Sequence, residues 1–195
     1  ITVEGFGSLG VYSPVPCQPF DRDRQGMNLG EGAAALLVED LDHALARGAR
    51  PLAIVSGSGN ASDAHHLTAP HPQALGARAA IAQALGGQRV DLVNAHATGT
   101  PLNDAMEAAA LADLGAAVSG LKGALGHCLG AAGSIEALVA VMSLIEQRAP
   151  PNTGLVASDF DLDLVREARA MDIERVLSVN FAFGGHNAAV TLERA

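Results

Sequence analysis

The chain is expected to fold as an α/β protein, and three features of its 195 residues point there. Short aliphatic runs such as Val90 to Ala95 alternate with stretches of helical spacing, and such alternation favours a sheet layered with helices. Hydrophobic residues make up 49% of the chain, enough for a sizeable core at this length. Aromatics are only 3%, so that core has to come from thin aliphatic strands and closely packed small-residue helices.

Residues 1–30 read as loop-rich, with Pro14, Pro16 and Pro19 and a charged Asp-Arg-Asp-Arg at 21–24. Residues 33–39 (AAALLVE) read as a buried strand, followed by a short helix from Asp40 to Gly48, with Asp40 as N-cap. A strand at 51–58, a polar loop containing His65, His66 and His71, and a helix from about Pro72 to Leu85 come next. After the strand Val90–Ala95, Thr100-Pro101 starts a helix that is expected to reach Leu114, with Pro at the first helical position. A weak strand at 116–121 precedes a helix from Ala131 to Gln147. In that helix Ile135, Leu138, Val139, Met142 and Ile145 recur at helical spacing and define the expected buried face. Strands at 176–181 and 187–192 flank a glycine turn at 184–185.

The formal charge is −9 and there is no cluster of Lys or Arg, so no nucleic-acid partner is expected. Arg22, Arg24, Arg47 and Arg50 can still form a local basic patch for an acidic partner. Two cysteines make no disulfide framework. No signal peptide and no apolar run of 18 residues is read from the chain, which implies no membrane and a cytoplasmic location. The chain starts at Ile1 and its first methionine is Met27, so it is expected to be part of something longer.

Gly5 to Gly10 fit a G-x-G-x-x-G pattern, but Pro14 and Pro16 follow instead of a helix, so the segment reads as a loop. His65, His66 and His71 lack metal-ligand spacing and read as loop residues; no metal is expected. No G-x-S-x-G elbow is present. Two other segments carry more. His96 lies past the carboxyl end of strand 90–95, where open α/β sheets place their chemistry. Lys122 and His127 lie five residues apart before Gly-rich sequence that opens a helix.

Five stretches resemble, in order, the C-terminal half of the β-ketoacyl-acyl carrier protein synthases, the elongating condensing enzymes. They are PFDRDRQGMNLGEGA at 19–33, SDAHHLTAP at 62–70, NAHATGTPLND at 94–104, KGALGHCLGAAG at 122–133 and NFAFGGHNA at 180–188. The resemblance implies a thiolase-like layered αβαβα fold, with this chain supplying mainly the C-terminal half. Residues 1–30 would continue from an N-terminal half, and 31–195 would form the C-terminal half-domain. It implies that His96 and His127 hydrogen-bond the malonyl thioester oxygen, that Lys122 orients its neighbours, and that Glu107 anchors the network. Thr98 and Thr100 would bind the phosphopantetheine arm, which arrives on the acyl carrier protein; the chain itself would bind no cofactor. Phe183 would gate the acyl pocket, with Gly184 and Gly185 giving it hinge freedom.

The family nucleophile, a cysteine, is expected upstream. Cys17 falls in a loop without family chemistry, and Cys128 matches an ordinary apolar position. Gly123 stands where the family has Ser, and the connections at 86–90 and 114–121 are shorter than usual. The implied partners are the carrier protein, the N-terminal half on the same gene or a separate chain, and a second subunit in a homo- or heterodimer. An alternative is a non-catalytic, chain-length-factor-like subunit. The presence of His96, His127, Lys122 and Glu107 favours the enzyme, because such subunits generally lose active-site residues.

Overall fold

The computed structural model describes residues 2–195. Its centre is a six-stranded sheet of β1 (Ala53–Ser62), β2 (Leu92–Ala95), β3 (Ala117–Gly120), β5 (Asp163–Leu164), β7 (Arg175–Ala182) and β8 (His186–Arg194). The spatial order is β1-β8-β7-β2-β3-β5. β7, β2, β3 and β5 run parallel, while β8 and β1 are added antiparallel. β4 (Arg148–Ala149) and β6 (Arg169–Ala170) form a small separate ladder.

Strand alternation sorts the core into two layers. Val93, Val118, Leu177 and Val179 face the small-residue sides of α3 (Leu75–Leu85) and α4 (Pro101–Leu111). Their chain neighbours Leu92, Ala117 and Val176 face α6 (Ala132–Glu146) through Ala140, Val141 and Leu144. α3 can lie close on the antiparallel edge because Gly57 and Gly59 of β1 leave no side chain under it. A Cβ at either would collide with the carbonyl of Ala84 or Ala80. The result is a three-layer αβα body.

The expected α/β alternation is present, with boundaries shifted by a few residues. α4 ends at Leu111 rather than Leu114, and α2 (Leu41–Ala46) carries the expected cap, Asp40 accepting from the His43 amide. Three expectations are corrected. First, GFGSLG is not a loop over most of its length: its first four residues lie in α1 (Thr2–Ser8), which has no buried residue. Second, 33–39 is not a strand. Leu36, Leu37 and Val38 are 42%, 84% and 73% exposed. A β pattern becomes a strand only where a partner completes its ladder, and no partner lies within the described residues.

Third, α6 is turned over. Leu138, Met142 and Ile145 lie on its exposed side, while Ala132, Glu136, Ala140 and Leu144 are buried. Leu129–Glu146 has mean hydropathy 1.6 over 18 residues, so the apolar run held to be absent does exist. A helix apolar almost all round gives periodicity no polar face to reject. The small residues win the inner side because they allow the closest approach to β7 and β8.

Candidate active site

Because β2, β3 and β7 are parallel and in register, their carboxyl ends open onto one edge of the sheet. That is where an α/β sheet presents its loops to ligands. His96 follows β2, Lys122 opens α5 (Lys122–Leu125) just after β3, and Phe183 follows β7. His127 reaches the same place by another route. Its amide donates to the Asn28 carbonyl at 2.8 Å, and its carbonyl accepts from Gly30 N–H at 3.1 Å, pinning it to the 27–30 segment. The imidazoles of His96 and His127 meet edge to face, 5.4 Å between centroids and 85° between planes. Both line a cavity of about 640 Å³, together with Thr98, Thr100, Asn180 and Phe183.

The hydrogen bonds assign the tautomers. Nδ1 of His127 accepts from the Leu129 amide at 3.1 Å, which leaves its proton on Nε2. Nδ1 of His96 lies 3.4 Å from the Lys122 ammonium, so it too is the acceptor and Nε2 the donor. Lys122 is 2% exposed and is shared between the His96 carbonyl and the carboxylate of Glu136. The Glu136 carbonyl in turn accepts from Asn94 Nδ2 at 2.7 Å.

Glu107 does not touch Lys122's ammonium. Its two oxygens accept from the backbone amides of His96 (2.6 Å) and Ala97 (2.7 Å), so it anchors the histidine through the main chain. Thr98 and Thr100 are paired hydroxyl to hydroxyl at 2.9 Å. Thr100 occupies the N-cap of α4 without capping it through its side chain. Phe183 is 46% exposed and stacks on Phe6 at 5.8 Å. Behind it Gly184 and Gly185 have φ of 82° and 74°, a left-handed path that glycine takes without strain.

Sequence reasoning missed Glu136 and Asn180. An acid in the second turn of an apolar helix, 14 residues past Lys122, is the available signal for Glu136. Asn180, on the cavity wall beside His96, gave none. Gly123 is explained by packing, since a Cβ there would run into the carbonyl of Thr153. Neither cysteine lines the cavity. Cys17 is buried, donates to the Thr98 carbonyl at 3.1 Å, and has its thiol pushed up to about 12 chiefly by burial. No group of three or more His, Cys, Asp or Glu suited to a metal occurs among the described residues.

Burial, helped by the Lys122 charge, pushes His127 down to about 4 and His96 well below the ordinary imidazole range. Both rings are therefore neutral at physiological pH, the state in which Nε2–H donates and no charge is buried. A depressed folded pKa means the unfolded chain protonates first, so His127's contribution is lost as pH falls from about 6.5 to about 4. Denaturation of the full-length protein across that window should show a shallower pH dependence for His127→Gln. Equal slopes would mean that His127 titrates as an exposed imidazole does.

Residues 52–156 match the description of the beta-ketoacyl synthase C-terminal domain. The chain belongs to the beta-ketoacyl synthase family. Residues 1–44 match the N-terminal domain of the same synthases. The 3-oxoacyl-[acyl-carrier-protein] synthase 2 of Coxiella burnetii is 41% identical to the synthase chain over 191 residues, covering 91% of this chain and 46% of the relative. Two solved structures cover all of it. The ishigamide ketosynthase/chain length factor superposes with a TM-score of 0.94 at 35% identity, over 51% of its own chain. A beta-ketoacyl synthase from Burkholderia phymatum does so with 0.92 at 37%, over 52%. The synthase chain thus has the thiolase-like α/β fold and spans about half the length of the relatives it matches.

Proposed function

We propose that this chain is the C-terminal part of a β-ketoacyl-acyl carrier protein synthase that catalyses decarboxylative Claisen condensation. The observation carrying this reading is the pair of neutral histidines, His96 buried and His127 half-buried, that meet at the wall of one cavity with Nδ1 of each held as an acceptor and the proton on Nε2. Malonyl thioester decarboxylation moves negative charge onto the thioester oxygen, and two fixed N–H donors stabilise that charge. The carboxylate leaves as carbon dioxide. The enolate carbon then attacks the carbonyl of an acyl group held as a thioester on a cysteine, and the cysteine sulfur departs with the bonding pair.

That cysteine belongs to the N-terminal half. Residues 1–30 continue from that half and 31–195 make the C-terminal half-domain, whose first residues, 31–44, still fall within the match to the N-terminal domain. Thr98 and Thr100 offer hydroxyls to the phosphopantetheine of the carrier protein, and Phe183 with Gly184 and Gly185 gates the acyl side. The exposed Leu36–Val38 run and the outer face of α6 support an N-terminal half that covers them. A second synthase-type subunit completes the assembly. We place the enzyme in the cytoplasm: among the described residues, the helix that is apolar enough to cross a membrane packs on the sheet and carries buried Glu136.

The full-length protein, supplied with an acyl-carrier thioester and malonyl-carrier protein, should release carbon dioxide and form the 3-ketoacyl product. Carbon dioxide without product would leave the histidine role standing and remove condensation. Release of no carbon dioxide and formation of no product would overturn the reading.

A further inference from the structure

The first turns of α4 hold two acids on one helical face, Asp104 and Glu107, and neither is exposed to solvent. Like charges a turn apart repel, and burial penalises each. Cations compensate them only in part: Arg24 Nε makes a long ion pair with Asp104 at 3.8 Å, and Lys122 is engaged by Glu136 and the His96 carbonyl. Backbone amides do most of the compensation. Glu107 accepts from His96 and Ala97, and Asp104 accepts from Gly99 at 3.1 Å and Phe20 at 2.8 Å.

One side chain touches both acids. Asn103 Nδ2 lies 3.1 Å from Glu107 Oε2 and 3.2 Å from Asp104 Oδ1. Ionised carboxylates only accept, so the amide must present its NH2 group to them, one hydrogen for each. We propose that Asn103 is a positioning residue whose amide bridges the Asp104 and Glu107 carboxylates, keeps both as acceptors, and so sets the 96–100 loop that presents His96 and Thr98.

The loop needs such a clamp. Ala97 has φ 43° and Gly99 φ 76°, and a left-handed alanine persists only where its surroundings hold it. Protonation of Glu107 would turn one of its oxygens into a donor and release an amide at His96 or Ala97. That danger is near neutral pH: burial foremost, with the Asp104 charge, pushes Glu107 up to about 8, against the pull of the Ala97 and His96 amides and Lys122. Arg24 and the Cys17 thiol face the pair through Asp104, and His96 is held neutral. A neutral bridge with two hydrogens favours the doubly ionised state without adding another buried charge.

The catalytic consequence rests on the proposed condensation chemistry, whereas the bridge itself does not. In the full-length protein, malonyl-pantetheine decarboxylation should fall as pH drops through the Glu107 pKa. Asn103→Ala should move that midpoint up by about half a pH unit or more, roughly threefold in the ionisation equilibrium. Asn103→Asp, which adds a third acid, should move it further. Asn103→Ser, with a single donor, should lie between wild type and Ala. Rates should converge with wild type at high pH for Ala and Ser. Profiles that superimpose, or differ by one constant factor at every pH, would overturn the bridge.

If the wild-type protein decarboxylates nothing, the functional reading fails, and the bridge is read from thermal unfolding. A carboxyl with a folded pKa of about 8 against 4.5 makes the native state hold the extra proton, so stability falls as pH rises through that window. Asn103→Ala should carry the fall to higher pH. Curves offset by a constant would then reject it.

Discussion

Replacing His96 or His127 by Ala in the full-length protein is expected to lower malonyl decarboxylation roughly 100- to 1000-fold, the usual cost of one lost donor to a developing oxyanion. The rings stand 5.4 Å apart with their Nδ1 atoms already committed, to Lys122 in one case and to the Leu129 amide in the other. Each therefore has one N–H to offer. Removing one leaves the other in place, so the double variant should lose far less than the product of the two single losses if both donors serve one oxygen. His127→Gln, which restores an N–H, should recover part of the rate. Undiminished decarboxylation in both Ala variants would sink the mechanism.

The second large effect concerns stability. Lys122 and Glu136 form a fully buried ion pair, and removing one partner strands a charge in the core. Lys122→Met should cost about 3–5 kcal/mol, relieved partly by protonation of Glu136, whose carboxyl burial already pushes up. The double variant Lys122→Met with Glu136→Leu should regain most of that stability. It should not regain activity, because Lys122 also holds the His96 carbonyl and faces its Nδ1. Chemical denaturation of the single and double variants of the full-length protein measures the coupling. A Lys122→Met protein as stable as wild type would show that the pair contributes nothing.

Much of this architecture is legible in the amino-acid sequence. The strand before His96, the helix opened by Thr100-Pro101, and the Lys122–His127 spacing each rest on short-range chemistry, so the local sequence was sufficient. The two largest misreadings share one cause. Leu36–Val38 has the composition of a buried strand, and α6 has apolar residues on every side. What covers such a surface is set by whatever packs there, and neither Leu36–Val38 nor the outer face of α6 is covered among the described residues. Periodicity reports that a surface is apolar; it does not report which partner takes it.

The site divides the same way. Residue types and their order are legible in the linear chain: two histidines after apolar runs, a lysine before the second, two nearby threonines, and an aromatic beside two glycines. Which carboxylate serves which neighbour emerges from the folded chain. Glu107 turned out to hold backbone amides, Glu136 to hold Lys122, and Asn103 to lie between two acids. The Lys122–Glu136 pair depends on how α6 packs against the end of β3, a long-range placement that the order of residues does not state. The contacts of Asn103 and Glu107 are local in sequence, but they form only because the left-handed turn at Ala97 and Gly99 folds the loop back onto the start of α4, and the packing around that loop holds it there.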